Sequence, residues 1–127
     1  MDARYVSGEF RGKRVEYAPT LIERVGLTYG YGPLSITGQY SYTGDSFGEA
    51  NNLRTPDNDN PLQGLVPAYA VWDLSGTYHA AKNLDLKAGV NNLTDAKYFT
   101  RRTDEYPGPG IIPSIGRSFY ATLAAKF

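Results

Sequence analysis

Apolar residues fall at every second position in five stretches of the chain. In residues 118–127, Phe119, Ala121, Leu123, Ala125 and Phe127 alternate with Tyr120, Thr122, Ala124 and Lys126. In residues 34–42, Leu34, Ile36, Gly38, Tyr40 and Tyr42 face one way and Ser35, Thr37, Gln39 and Ser41 the other. In residues 69–78, Trp72, Leu74, Gly76 and Tyr78 oppose Val71, Asp73, Ser75 and Thr77. Residues 20–29 put Leu21, Val25, Leu27 and Tyr29 on one face, with Glu23 as a blemish. Residues 84–93 begin with Leu84, Leu86, Ala88 and Val90 against Asp85, Lys87, Gly89 and Asn91. Period two is the signature of a strand with one apolar and one polar face. Asn92 interrupts the last pattern, which predicts a bulge or the edge of the apolar band there. Residues 2–7 read as the end of a further strand.

The connections alternate in length. Residues 30–33 and 80–83 are tight turns, whereas 8–19, 45–68 and 100–116 are long and polar. All eight prolines lie outside the proposed strands, as ladder hydrogen bonding requires. Short turns at one end and long loops at the other are the pattern of an outer-membrane barrel, whose tilted strands need about 9–11 residues to cross. The aromatics sort by height in the same way. Tyr29, Tyr31, Tyr78 and Phe127 lie at the short-turn end, and Tyr40, Tyr42, Trp72 and Phe119 toward the long loops. Two such girdles flank the apolar band of a membrane barrel. A soluble β-sandwich would share the alternation but has no reason to sort its aromatics. The polar, small-residue face then lines a wet or plugged lumen. A one-residue slip in residues 84–90 would turn Lys87 toward lipid, at a cost of roughly 2–4 kcal/mol at mid-depth.

Composition narrows the picture. The 127 residues include 13 basic and 13 acidic side chains, so no net charge draws the chain toward nucleic acid. Mean hydropathy is −0.43 and no window reads as a membrane-spanning helix. A barrel strand is apolar only at alternate positions, so low hydropathy leaves the membrane open. Without cysteine there is neither a disulfide scaffold nor a thiolate metal site. Residues 1–4 lack the apolar run of an export signal. The strand count comes to five and part of a sixth, whereas membrane barrels begin at about eight, and unpaired edges are not viable in lipid. The expectation is therefore a C-terminal piece of a larger barrel. Alone, it should aggregate or need detergent.

Three motifs carry a family resemblance. Residues 90–98, from Val90 through Asn92, Leu93 and Asp95 to Tyr98, resemble the V-x-N-L-x-D-x-x-Y segment near the end of TonB-dependent outer-membrane receptors. Ile115-Gly116-Arg117-Ser118-Phe119 resembles their P-G-R-x-F lead-in to the last strand, and Val15-Glu16-Tyr17-Ala18-Pro19 their x-P-Y-A-P segment. Thr94 stands where an aromatic is usual and Ile115 where proline is usual. The resemblance implies an all-β, antiparallel, up-and-down barrel of 22 strands closed by a plug domain. Residues 1–127 would be the C-terminal part, holding the last five to six strands, with the plug and most of the barrel absent. It further implies a receptor in the bacterial outer membrane that imports a ferric siderophore or ferric citrate with energy transmitted by TonB. Tyr17-Ala18-Pro19 is similar to the ferric-citrate receptor branch. The implied partners are lipid, the remaining barrel and plug, TonB, a ferric chelate and the barrel-assembly machinery. That machinery would read Phe119, Leu123 and Phe127 in the last strand. Arg117 takes a structural role at the rim.

Few residues offer other chemistry. His79 is the only histidine and lies at a short turn, so a catalytic triad or metal site on it is a poor reading. An outer-membrane enzyme would need a nucleophile and base that the sequence does not supply. Asp85 and Lys87 read as a lumenal charge pair. Arg101, Arg102 and Arg54 are the candidate ligand contacts, because guanidinium gives planar, charge-assisted donors to an anionic chelate. The plainer reading of Arg101 and Arg102, which the sequence favours, is a solvated pair answered by Asp104 and Glu105. Asp57, Asn58, Asp59 and Asn60 lack the glycine turn and terminal glutamate of a calcium loop, and read as a flexible polar stretch. No cofactor is implied.

Overall fold

The computed structural model describes residues 2–57, 59–105 and 108–126. These form β1 (Ile22–Tyr31), β2 (Leu34–Thr43), β3 (Ser46–Phe47), β4 (Leu65–Val66), β5 (Tyr69–Ala81), β6 (Leu84–Asn91), β7 (Phe99–Thr103), β8 (Gly110–Pro113) and β9 (Ser118–Ala125). The chain divides into two compact units. A sheet unit takes Glu23–Ser41, Ala70–Ala96 and Ile115–Phe127, and a loop unit takes Met1–Ile22, Tyr42–Tyr69 and Lys97–Ser114.

The sheet unit is a five-stranded meander in the order β1-β2-β5-β6-β9. Two-residue turns join β1 to β2 and β5 to β6. The first of these turns uses Gly32 at φ 55°, a conformation glycine adopts without a Cβ penalty. The register stacks like on like. Leu74, Val90 and Phe119 form one cross-strand row, Gly76, Ala88 and Ala121 the next, and Tyr78, Leu86 and Leu123 a third. Every member of these rows lies on the predicted apolar face. The opposite face carries Ser75, Thr77, Lys87 and Thr122, with the Thr28 and Thr37 hydroxyls bonded across β1 and β2 at 2.8 Å.

The apolar face is not packed. Leu27 is 77% exposed, Phe119 73% and Leu123 65%. A β-sandwich would bury such a face beneath a second sheet about 10 Å away, so the soluble-sandwich reading fails. A contiguous exposed apolar face framed by aromatics is a lipid-facing surface. Tyr29, Tyr31 and Tyr78 are exposed near the short turns. At the other end the Tyr40 and Trp72 rings lie 4.7 Å apart, tilted by 47°. Phe127 lies outside the described residues.

The structure corrects several expectations. Residues 2–7 are not a strand, so the sheet has five strands and no sixth fragment. Their backbone is consumed locally: Tyr5 N–H donates to Lys13 O (3.0 Å), Gly12 N–H to Tyr5 O (2.8 Å), and a single bridge joins Arg4 to Arg14. The interruption at Asn92 is the end of β6, with Asn92 at φ 52°. The ladder irregularity falls instead between His79 and Ala81. The long loops contain structure too: β3 pairs with β4 and β7 with β8, and Pro113 ends β8 opposite Phe99. Asp85 is not paired with Lys87. It faces His79 across β5 and β6, with His79 Nδ1 and Asp85 Oδ1 2.6 Å apart.

Candidate ligand-facing site

The loop unit is held by polar clamps around a very small apolar centre. Among the described residues Phe47 and Val66 are its buried apolar side chains, beside buried Ser46 and Gln63. Arg14 donates from Nη1 to Asp45 Oδ2 (3.3 Å) and from Nη2 to Asp45 O (2.6 Å), while its guanidinium lies 5.1 Å over the Phe47 ring. Asn52, at φ 55°, grips residue 14 from both sides: its Oδ1 accepts Arg14 N–H (2.6 Å) and its Nδ2 donates to Arg14 O (2.8 Å). Gln63 accepts from Asn51 (3.0 Å) and donates to Thr55 O (3.0 Å). The Tyr5 hydroxyl donates to the Glu16 carboxylate at 2.5 Å, which holds Glu16 below the usual carboxylate range and Tyr5 above its own. These bonds replace the hydrophobic core that so short a set of loops cannot assemble.

The two adjacent arginines do different work. Arg102 is internal to the unit. Its Nη2 donates to Leu65 O (3.1 Å), its guanidinium packs 5.4 Å over the Phe99 ring, and its Nε is buried without a partner. It passes between two glycines: a Cβ at Gly48 would lie 3.2 Å from Arg102 Cδ, and one at Gly64 3.1 Å from Arg102 Cζ. Arg101 is exposed and sits 5.4 Å over the ring of Tyr17. Asp104 and Glu105 line the same cavity as the two arginines but form no ion pair with either.

Tyr17 is the residue sequence reasoning missed. Its φ is 52°, strained for a bulky side chain, and it is held there by Tyr17 N–H donating to Phe47 O (2.8 Å) and by Arg102 N–H donating to its hydroxyl (3.4 Å). The result is an aromatic shelf at a cavity of about 340 Å³, lined also by Leu62, Arg101, Asp104, Glu105 and Ile112. Its only signal in the sequence is the motif it belongs to. Such a shelf can stack a planar group while Arg101 donates to an anion.

Arg54 is exposed and does not line this cavity; its carbonyl accepts Leu65 N–H (3.1 Å). Asp57 Oδ1 accepts Asp59 N–H (3.1 Å) and Asn60 donates to Glu49 (2.7 Å), while Asn58 lies outside the described residues. Among the described residues no cluster of three or more His, Asp or Glu is placed to hold a metal. Arg117 meets the sheet through its backbone, donating to Asp95 Oδ1 (2.9 Å).

An open antiparallel meander with a lipid-facing apolar surface and bonded long loops defines a segment of an outer-membrane β-barrel. The profile of the family described as TonB dependent receptor-like, beta-barrel, matches residues 2–93, and the chain belongs to that family. Its members are outer-membrane barrels of Gram-negative bacteria, and they are receptors and transporters. The chain is 34% identical over 96 residues to the ferric enterobactin receptor of Pseudomonas aeruginosa, covering 70% of this chain and 11% of that protein. It is 32% identical over 88 residues to the vitamin B12 transporter BtuB of Vibrio vulnificus, covering 69% of this chain and 12% of that protein. The fold matches the crystal structure of the unliganded ferric citrate transporter FecA with a TM-score of 0.83 at 23% identity, over 95% of this chain and 18% of the other. The chain thus spans only about a tenth to a fifth of the length of the proteins it resembles.

Proposed function

We propose that this chain contributes five barrel strands and three outer loops to a receptor that binds a ferric siderophore or ferric citrate and imports it with TonB-transmitted energy. The observation that carries the reading is the Tyr17–Arg101 shelf. A strained aromatic under a guanidinium that makes no ion pair among the described residues, at a cavity on otherwise clamped loops, is suited to a planar, anionic iron chelate. Clamped loops favour affinity because little ordering remains to be done on binding. Under this reading the plug fills the lumen against the hydroxyl-rich face and carries the contact with TonB. Phe119 and Leu123, exposed on the last strand, would meet the barrel-assembly machinery together with Phe127. Arg101 contacts the ligand, Arg102 holds the loops, and Arg54 is a peripheral contact at most.

The test is uptake of iron-labelled chelates by iron-starved cells carrying the intact receptor. Arg101→Ala should weaken the apparent affinity for a ferric triscatecholate or ferric citrate by roughly tenfold or more, the weight of a charge-assisted hydrogen bond. Arg101→Lys should restore part of it, since the charge survives without the planar fork. Arg54→Ala should change it little. Unaltered affinity in Arg101→Ala would remove the shelf from the ligand site. Uptake of cobalamin in place of every ferric chelate would overturn the iron reading.

A further inference from the structure

The turn that follows β6 is bonded far beyond what a connection requires. Asn92 is 4% exposed, and Asn92 and Asp95 both adopt the left-handed conformation, at φ 52° and 54°. Asn92 N–H donates to Asp73 Oδ1 of β5 (2.8 Å), and Leu93 N–H donates to Trp72 O (2.7 Å). The Asn92 side chain closes the turn on itself, accepting from Ala96 N–H (2.8 Å) and donating to Ala96 O (3.0 Å). Asp95 N–H donates to Asn92 O (2.8 Å), and Asp95 Oδ1 then accepts Arg117 N–H (2.9 Å). Arg117 immediately precedes β9, whose first residue, Ser118, pairs with Asn91. A series of bonds through residues 91–96 thus delivers the start of β9 to the end of β6. The excursion Lys97–Ser114, which carries Arg101 and Arg102, belongs to the other unit.

We infer that Asn92 and Asp95 form a register clamp that seats β9 on β6 independently of the long loop between them. Closing a loop of that length leaves the register of the returning strand open. A slip of one residue would turn Phe119 and Leu123 into the lumen and Tyr120 toward lipid. A second feature points to the same register. The Tyr120 ring covers Gly89, its cross-strand partner, so closely that a Cβ there would lie within 2.4 Å of it. A slip of two residues would place Lys87 or Asn91 under that ring. The clamp lets the loop that offers Arg101 vary without unseating β9.

The chain has no cysteine, so register can be read by cross-linking in outer membranes. Leu86→Cys with Leu123→Cys reports the observed pairing, and Leu86→Cys with Ala121→Cys or Ala125→Cys reports slips. Asn92→Gly and Asp95→Gly keep the backbone conformation and remove the side-chain bonds. Each should lower the matched cross-link roughly tenfold, the weight of a buried or charge-assisted hydrogen bond. Asp95→Asn, which keeps an acceptor and tolerates positive φ, should retain it. Replacing residues 97–114 by a short Gly/Ser linker should also retain it. Unchanged matched cross-linking in both glycine variants overturns the proposal, as does its loss on loop replacement alone. If a glycine variant does not accumulate while Asp95→Asn does, the clamp is supported. If Asp95→Asn fails equally, the side-chain bond is not what matters and the proposal falls.

Discussion

Gly48→Ala should dismantle the loop unit while leaving the five-stranded sheet assembled. A Cβ at this position would fall 2.1 Å from the Leu62 carbonyl oxygen, a backbone atom, and 3.4 Å from the Gly64 carbonyl oxygen. Neither can swing aside as a flexible side chain would. Relief requires the backbone of residues 62–64 to retreat, which breaks the Gly48 N–H to Gly64 O bond (2.9 Å) that extends the β3–β4 ladder. It also displaces Arg102, whose Cδ lies 3.2 Å from the same point. Overpacking of this kind costs about 3 kcal/mol or more when the opposing atoms are fixed. With Phe47 and Val66 as its only buried apolar residues among those described, the unit has little reserve to absorb that loss. Gly8 and Gly12 make the contrast. Both have positive φ but nothing within 4 Å of an added Cβ, so alanine there should cost only about 1 kcal/mol. Hydrogen exchange at the Gly48 and Arg102 amides, with proteolysis within residues 42–69, would register the difference. Loss of protection in Gly48→Ala alone is the expected result. Equal protection in all three variants would show that the close approach of residues 48 and 62 does not hold the unit together.

That glycine also marks where the sequence stops being informative. The strands were legible because lipid on one side and a polar lumen on the other impose period two on every residue, and the cross-strand rows Leu74–Val90–Phe119 and Tyr78–Leu86–Leu123 fall where the alternation puts them. The loops obey no period. Their fold rests on pairs far apart in the chain, such as Asn52 on Arg14 and Arg102 on Leu65, and on two ladders of two and four rungs. No local pattern announces that Gly48 is a point of close approach or that Tyr17 is held at positive φ. The two arginines were equally opaque, since adjacent identical residues differ here only in what the other loops bring to them. Asn and Asp most readily take the left-handed conformation and bond their own backbone, as Asn52, Asn92 and Asp95 do, yet of these only Asn92 stood out in the sequence, as a break in the alternation. The expectation for residues 2–7 erred for a related reason: Gly8 and Gly12 at φ 81° and 82° fold the segment back on itself before it can join a sheet.

Moving a single positive charge by one residue should distinguish the two faces of the sheet. Lys87→Ala combined with Ala88→Lys leaves composition and net charge unchanged and moves the ammonium from the Thr77–Thr122 side to the row of Gly76 and Ala121. That row lies between the two aromatic girdles, one marked by Tyr29 and Tyr78 and the other by Tyr40 and Trp72. A lysine at the midplane of a barrel's lipid face costs roughly 2–4 kcal/mol, falling toward zero near the interfaces. Lys87→Ala alone should be close to neutral, because the lumenal face is polar and Asp85 is already paired with His79. The measurement is the denaturant midpoint of the intact receptor in lipid, with the fraction assembled in outer membranes as a second readout. A marked loss in the double variant, absent from the single one, is expected. Leu86→Lys, one row nearer the Tyr31 and Tyr78 end, should lie between the two, since a long side chain there can reach the interface. If the double variant were as stable as the single one, the exposed apolar rows would not face lipid, and an unidentified protein surface would have to cover Ala88 instead.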